Sequence, residues 1–268
     1  MSGPTIESTA AYVICLATTR KDRCDKNFTS VQQVFPKLER FPAVDGDSVD
    51  LTDRSIVHPV TQTHVEFRLG VDPTYITSKG AVGCYQSHVN LWKLCVARNE
   101  PIVVVEDDMA FPGTLAANIK AAFATIPPDA DFASLMYTPV WTVLDCDASS
   151  SDTWCRLRSR DFAGLQVYYI TPRGAAALLP AAYPIVAHVD RYIGYIATTA
   201  QDGDFKAYAY RKQLLTLFNV IASNADSTIE HQTRVKMLLP ESNRDYVVFF
   251  IVVLCLLTLP WILLCVQL

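Results

Sequence analysis

A short apolar strand that runs directly into three acidic residues constrains this chain more than any other feature. Pro101 precedes Ile102-Val103-Val104-Val105, and Glu106-Asp107-Asp108 follows at once. An apolar run of this length, bounded by a proline and by charged residues, is typical of a buried strand. Three consecutive acids cannot lie in a core, so we expect this strand to end at the surface with its carboxylates gathered there.

The alternation of side chains along extended backbone divides these acids between two sides. Glu106 and Asp108 are predicted to face one side together, while Asp107 points to the other side and holds the turn. Two carboxylates on one side suit Mg²⁺ or Mn²⁺, which prefer oxygen ligands and usually keep substrate phosphate oxygens as partners. An ordinary acidic turn is the alternative, but the flanking apolar residues favour the cation site.

An amphipathic helix is predicted upstream of this strand, over residues 80–98. Its apolar residues share one broad face. Gly80 and Gly83 allow a backbone or a ligand to pass close to its first turn, and a helix N-terminus attracts anions. Ser87 and His88 project one turn further along. Taken alone, such a helix start is weak evidence for a site, and a lone histidine is more often structural.

Apolar runs alternate with helical patterns along much of the chain. This alternation predicts an α/β sheet with helices on both faces. In such sheets, ligands bind at the carboxyl ends of the strands, and residues 20–23, 45–46 and 106–108 all follow predicted strands. Residues 47–78 are polar and weakly periodic and are predicted to be a variable insertion on the acceptor side, whereas residues 145–160 are predicted to be a polar loop.

The eight cysteines leave the redox compartment open. Cys15, Cys84 and Cys95 lie in apolar patterns and are predicted to be small buried hydrophobic residues. Cys146 and Cys155 flank a polar loop, and they could form a disulfide in an oxidising compartment. The chain has no Cys-x-x-Cys pair, so neither a zinc ribbon nor a thioredoxin-like motif is expected.

The carboxy-terminal region is predicted to cross a membrane. Residues 247–266 carry no charge, and about 20 helical residues match the thickness of a bilayer core. A buried core helix is the alternative. The first residues lack the pattern of a signal peptide. We therefore expect a domain over 1–221, a stalk over 222–245 and a tail anchor over 246–268, with the catalytic domain facing the cytosol.

The overall charge argues against one class of partner. The chain has a net charge of −4, whereas nucleic-acid binding needs a basic face. Nucleic acid is therefore not an expected partner. A phosphate-binding loop with Lys-Ser or Lys-Thr is also lacking, which counts against a nucleoside triphosphatase.

The central motifs resemble those of one known family. They read Gly-Cys-x-x-Ser-His-x-x-x-Trp over residues 83–92, then Glu-Pro-x-x-x-x-Glu-Asp-Asp over residues 100–108. This combination is similar to glycosyltransferase family 25, which includes bacterial lipooligosaccharide galactosyltransferases and collagen β-galactosyltransferases. Weaker similarities at residues 13–23, 41–46, 164–175 and 189–190 extend the resemblance over roughly residues 11–195.

This resemblance implies a GT-A-like, Rossmann-like fold and an inverting transfer from a UDP-sugar with Mn²⁺ or Mg²⁺. Glu106 and Asp108 would bind the metal and the diphosphate, and Asp108 and Asp190 would be the catalytic acids, with Asp190 as a candidate general base. The remaining residues expected around the donor are Arg20, Arg23, Asp45, Gly46, Gly83, Ser87 and His88.

The implied activity moves a hexose, galactose or glucose, to a hydroxyl of a glycan, glycolipid or protein acceptor in glycan biosynthesis. Residues 47–78 show no clear family pattern, which leaves the acceptor open. That departure supports an alternative: a catalytically inactive, membrane-tethered module that binds sugar nucleotides or glycans. Another Mg²⁺-dependent phosphoryl or nucleotidyl transferase is a third, weaker hypothesis.

Overall fold

The computed structural model describes residues 4–16, 21–69, 74–138, 142, 144–200 and 204–212. Within these ranges seven strands form one sheet: β1 (Ala10–Cys15), β2 (Leu38–Pro42), β3 (Ile102–Glu106), β4 (Phe132–Met136), β5 (Trp154–Arg156), β6 (Val167–Ile170) and β7 (Ala207–Tyr210). Their helices are α1 (Lys21–Gln32), α2 (Pro59–Phe67), α3 (Lys79–Arg98), α4 (Gly113–Phe123), α5 (Pro172–Leu178) and α6 (Val189–Thr199).

The strand order is β2-β1-β3-β6-β4-β7-β5, and the sheet is mixed. β1 runs parallel to both β2 and β3, so the carboxyl ends of these three strands lie at one edge. β6 enters between β3 and β4 and runs antiparallel to both. Its first residues therefore lie at the edge where β3 ends, and the Glu106 amide donates to the Gln166 carbonyl at 3.0 Å.

Two apolar cores cover the two faces of this sheet. One contains Val104 and Tyr168 together with the inner faces of α3, α5 and α6. The other contains Val103 and Val105 together with the inner faces of α1 and α4. Helices on both faces of the sheet agree with the predicted α/β class. Because alternate β3 residues enter different cores, the strand carries its last side chains to two different environments.

Local capping explains where the helix next to the site begins and ends. The Ser78 hydroxyl accepts a hydrogen bond from the Ala81 amide at 3.2 Å, which satisfies one of the free N–H groups of the first turn of α3. At the other end Asn99 is left-handed, with φ of 51°, a conformation that asparagine tolerates better than most residues. The predicted boundaries of this helix are confirmed to within one residue at its start.

Two regions predicted to be irregular contain regular elements. Helix α2 lies inside the polar segment 47–78, and the Thr61 hydroxyl anchors it by donating to the Ile185 carbonyl at 2.8 Å. Strand β5 lies inside the predicted loop 145–160 and pairs with β7 at the edge of the sheet. Both elements are short and rest on partners far along the chain, so local periodicity did not indicate them.

Two disulfides lie within the described residues. Cys146 is bonded to Cys155, in agreement with the bridge considered from the sequence. Cys15 is bonded to Cys24, so the prediction that Cys15 is simply a small buried hydrophobic residue was wrong. This bond joins the end of β1 to the first turns of α1, across the predicted basic turn.

The membrane prediction falls on residues that are not described. Among the described residues, none of the helices combines the length and apolar character needed to cross a bilayer. The predicted stalk over 222–245 and the anchor over 246–268 lie outside the described residues, and so does Arg20.

Candidate active site

Two of the three acids at the end of β3, Glu106 and Asp107, lie on opposite sides of the sheet, as the alternation predicted. Glu106 is on the α3 side of the sheet with 26% of its side chain exposed. Asp107 is buried and lies on the α1 side, where it contacts Arg23. A turn follows, in which the Met109 amide donates to the Glu106 carbonyl at 3.3 Å. The cluster is therefore split by the plane of the sheet.

Asp107 is tied to helix α1 by two contacts. Arg23 Nη2 lies 2.5 Å from Asp107 Oδ1, and Asn27 Nδ2 donates to the Asp107 carbonyl at 2.8 Å. The carboxylate raises the pKa of Arg23. Arg23, expected near the nucleotide, thus has a structural partner in this turn, and Asp107 holds the turn as predicted.

Glu106 and Asp108 have a different electrostatic environment. Burial raises the pKa of Glu106 to about 7, and the charges of Asp190 and Asp107 add to this effect. Burial and the nearby Glu106 raise the pKa of Asp108 to about 8. Asp108 Oδ1 is buried and accepts no hydrogen bond from the described residues. Two close acids with raised pKa values form a site that an added positive charge would stabilise.

His88 connects Glu106 to the core beneath it. Its side chain is fully buried, and Nε2 lies 3.7 Å from Glu106 Oε1, which is too long for a hydrogen bond. Nδ1 lies 2.9 Å from the Tyr168 hydroxyl, which also accepts a hydrogen bond from Trp92 Nε1 at 3.1 Å. Burial lowers the pKa of His88 to about 4, so the imidazole is neutral and makes no ion pair at neutral pH.

The hydrogen-bond donors around His88 favour one tautomer of its imidazole. The Trp92 indole can only donate, so the Tyr168 oxygen accepts from it and its own hydrogen is available for His88 Nδ1. In that arrangement Nε2 carries the imidazole proton and faces Glu106. His88 Nε2 is buried and has no hydrogen-bond partner among the described residues.

Cys84 is a site residue that sequence reasoning missed. It lies one turn before His88 on α3 and is only partly buried, so it is not the fully buried hydrophobic residue predicted. Its thiol, an imidazole nitrogen of His88 and a carboxylate oxygen of Glu106 lie within 4.8 Å of one another. The spacing of four residues between Cys84 and His88 places both on one helix face and was a usable signal.

Ser87, Gly83 and Gly46 join two segments of the protein to each other. The Ser87 hydroxyl donates to the Gly83 carbonyl at 2.7 Å and accepts from the Val44 amide at 2.9 Å, and its residue is fully buried. A Cβ at Gly83 would lie 2.5 Å from the Val44 carbonyl oxygen, and one at Gly46 would lie 2.3 Å from the Lys79 carbonyl oxygen. The close approach predicted at this helix start is made by the chain after β2.

Asp45 precedes this contact and caps a short 3-10 helix, Gly46–Ser48. Its carboxylate accepts from the Asp47 amide at 3.0 Å. The structure therefore gives Asp45, Gly46, Gly83 and Ser87 structural contacts, while their expected contacts with a donor stay predictions.

Asp190 lies in the first turn of α6 with its carboxylate fixed by backbone groups. Oδ2 accepts from the Gly164 amide and Oδ1 from the Arg191 amide, both at 2.7 Å. Gly164 has φ of 86°, and a Cβ there would lie 2.5 Å from Thr138 Oγ1, so glycine is required. Burial raises the pKa of Glu106, and the Asp190 charge adds to this effect.

The sequence matches the model of one protein family over most of the described region. It matches the family model for glycosyltransferase family 25 (LPS biosynthesis protein) over residues 8–193. A glycosyltransferase 25 family member of Aedes aegypti is 34% identical over 96 residues, and one of Drosophila melanogaster is 29% identical over 96 residues. Each match covers 34% of this chain but 15% of the relative, so the chain spans a small part of their length.

Proposed function

The chain belongs to glycosyltransferase family 25, and from this premise we propose that it is a metal-dependent, inverting hexosyltransferase. The donor would be a UDP-sugar carrying galactose or glucose, and the acceptor a hydroxyl of a glycan, glycolipid or protein. The observation that carries the proposal is the pair Glu106 and Asp108 at the carboxyl end of β3, where ligands bind in α/β sheets.

The two carboxylates fit Mn²⁺ or Mg²⁺. Both supply oxygen ligands, which these ions prefer, and Asp108 Oδ1 is buried with no hydrogen bond from the described residues. Burial raises the pKa of both carboxyls, and neighbouring acids add to this effect while Arg23 partly offsets it. A divalent cation bound there would stabilise the charge of a departing diphosphate.

Asp190 is the proposed general base that accepts the proton of the attacking acceptor hydroxyl. Its two backbone hydrogen bonds orient the carboxylate without a flexible partner. Its effect on the pKa of Glu106 supports a position beside the carboxylate pair. A fixed orientation matters because an inverting transfer needs the base and the nucleophile on the side opposite the leaving group.

The test is a turnover assay on the full-length protein with Mn²⁺ or Mg²⁺ and a panel of UDP-sugars, with release of UDP as the readout. We expect turnover with a UDP-hexose and a loss of about 10²-fold or more in kcat for Asp190→Asn. Donor binding without turnover would favour the inactive binding module. If the protein neither binds nor turns over any donor, both hypotheses are rejected.

For location, two arguments oppose each other. The proposed tail anchor over 246–268 would place the catalytic domain in the cytosol, whereas disulfides are typical of oxidising compartments. We propose the tail anchor and test its orientation by protease treatment of intact vesicles. Digestion of the domain supports the cytosolic prediction, and protection contradicts it. A glycan at the Asn27-Phe28-Thr29 sequon is not a usable marker, because Asn27 is buried.

A further inference from the structure

We propose that Cys84, His88 and Glu106 form a binding site for a thiophilic divalent cation such as Zn²⁺, separate in its chemistry from the carboxylate pair. The proposal begins from the placement of three different ligand types. A thiol, an imidazole nitrogen and a carboxylate oxygen lie within 4.8 Å of one another, and they come from one face of α3 and the end of β3.

The spacing of the ligand atoms is close to that of a zinc site. His88 Nε2 and Glu106 Oε1 are 3.7 Å apart. Two ligands at about 2.0–2.1 Å from a tetrahedral Zn²⁺ are about 3.3 Å from each other. A shift of a few tenths of an ångström in the Glu106 side chain, which is partly exposed, would bring the pair to that distance.

An unpartnered group also points to a ligand at this position. His88 is fully buried, yet its Nε2 atom has no hydrogen-bond partner among the described residues. A buried polar atom of this kind costs free energy unless something binds it. The nearest carboxylate lies beyond hydrogen-bond distance, and a metal ion that replaces the Nε2 proton, with the proton moving to Nδ1, would bind both groups.

The surroundings of His88 provide the outer hydrogen bond that metal-binding histidines usually have. With a metal on Nε2, the imidazole proton lies on Nδ1, which donates to the Tyr168 hydroxyl 2.9 Å away. Trp92 Nε1 holds that hydroxyl in place at 3.1 Å. The ring orientation needed for metal binding is therefore already fixed by the core.

The ligand types select a soft metal over Mn²⁺ or Mg²⁺. Thiolate and imidazole suit Zn²⁺, whereas carboxylates alone suit the harder ions. Because Glu106 belongs to both sets, Zn²⁺ bound to Cys84 and His88 would withdraw Glu106 from the pair with Asp108. The cation would then inhibit transfer, a consequence that rests on the proposed function, while the binding itself does not.

The experiment follows Co²⁺ as a spectroscopic probe of the full-length protein in the absence of thiol reductant. The tail cysteines are removed by Cys255→Ser and Cys265→Ser, which leaves Cys84 and Cys95 as the free thiols beside the two disulfides. We expect one equivalent of Co²⁺ to give a thiolate-to-metal charge-transfer band, and Zn²⁺ to displace it.

Two matched variants decide the outcome. Cys84→Ser is expected to abolish the band and to weaken Zn²⁺ binding by about tenfold or more. Cys95→Ser, in the same helix but bonded to the Glu100 carbonyl, is expected to leave both unchanged. A band that survives Cys84→Ser, or one that never forms in the folded parent, overturns the proposal.

A second measurement guards against a variant that fails to fold. In the unmutated protein, Zn²⁺ is expected to protect Cys84 from maleimide labelling, as read by peptide mass spectrometry. Equal labelling of Cys84 with and without Zn²⁺ also overturns the proposal. Neither readout needs turnover, so a failure of the proposed transfer activity and a failure of this site are distinguishable.

Discussion

Two neighbouring acids at the end of one strand have opposite environments. Asp107 faces α1. Its carboxylate forms an ion pair with Arg23, and its backbone carbonyl accepts a hydrogen bond from the Asn27 side-chain amide. Glu106 faces α3, where its neighbours are a thiol and a neutral imidazole. The sheet separates them, although they are adjacent in sequence.

This comparison teaches how to separate a structural acid from a functional one. The charge of Asp107 is balanced within the protein, so the turn it holds is stable without a ligand. The charges of Glu106 and Asp108 repel each other, and their pKa values are raised. An unbalanced pair costs stability, and such sites persist where a ligand or a reaction uses them.

The largest effect is expected on the Glu106 side. Under the proposed function, Glu106→Gln removes a carboxylate that would bind the cation beside the donor diphosphate, so we expect transfer to fall by about 10²–10³-fold, with the fold kept. The measurement is kcat/KM for the UDP-hexose that the panel of donors selects.

Its control is Glu39→Gln, the same substitution at an exposed position of β2, which is expected to leave kcat/KM unchanged. Equal losses in both variants would mean that the effect of Glu106 is not specific to the site.

The next largest effect is expected on the Asp107 side, and on stability. Arg23→Gln removes the ion pair with the buried Asp107 carboxylate, and losing one member of a fully buried pair costs about 3–5 kcal/mol. Because 18% of the Arg23 side chain is exposed, we expect a loss of about 3 kcal/mol in the free energy of unfolding, measured by urea denaturation.

Arg40→Gln is the matched control, since the Arg40–Asp25 pair is about half exposed and is expected to contribute less than about 1 kcal/mol. A similar small loss in both variants would remove the distinction drawn for Asp107.

The smallest effect is a pH dependence of thermal stability. Folding raises the pKa of Glu106 to about 7 and that of Asp108 to about 8. The folded state is therefore most stable when both carboxyls are protonated, and this stability is lost as the pH rises from their ordinary pKa values through the raised ones. The metal-free protein should therefore lose stability between about pH 4 and pH 8.

Asp108→Asn should raise the melting temperature at pH 8 by about 2–4 °C, the equivalent of about 1 kcal/mol for a domain of this size. Scanning fluorimetry with and without Mn²⁺ measures this. Mn²⁺ should raise the melting temperature of the parent but not of the variant, and a variant less stable than the parent at pH 8 would contradict the prediction.

Local patterns were enough to predict much of the fold. The apolar run before Glu106 predicted β3, and period-two alternation predicted that Asp107 would face away from Glu106. The helical period predicted α3. These features depend on residues close together in the chain, which a single sequence contains in full.

Features that depend on distant residues were not predicted. The entry of β6 between β3 and β4 and the pairing of Arg23 with Asp107 join segments that are far apart in the chain. Ser87 shows the same limit, because its hydroxyl accepts a hydrogen bond from the Val44 amide, in the segment after β2. Residue type predicted a polar contact there, but not which group makes it.

Because Asn27 is buried, glycosylation of its side chain and docking of α1 against the end of β3 exclude each other. Its amide donates to the Asp107 carbonyl, and 9% of the residue is exposed. A sugar chain attached to that nitrogen before folding would keep α1 from docking against the end of β3. If the chain is made in a secretory compartment, the speed of folding would set the yield of competent protein. Recombinant batches would then divide into an unmodified, active fraction and a modified, inactive one.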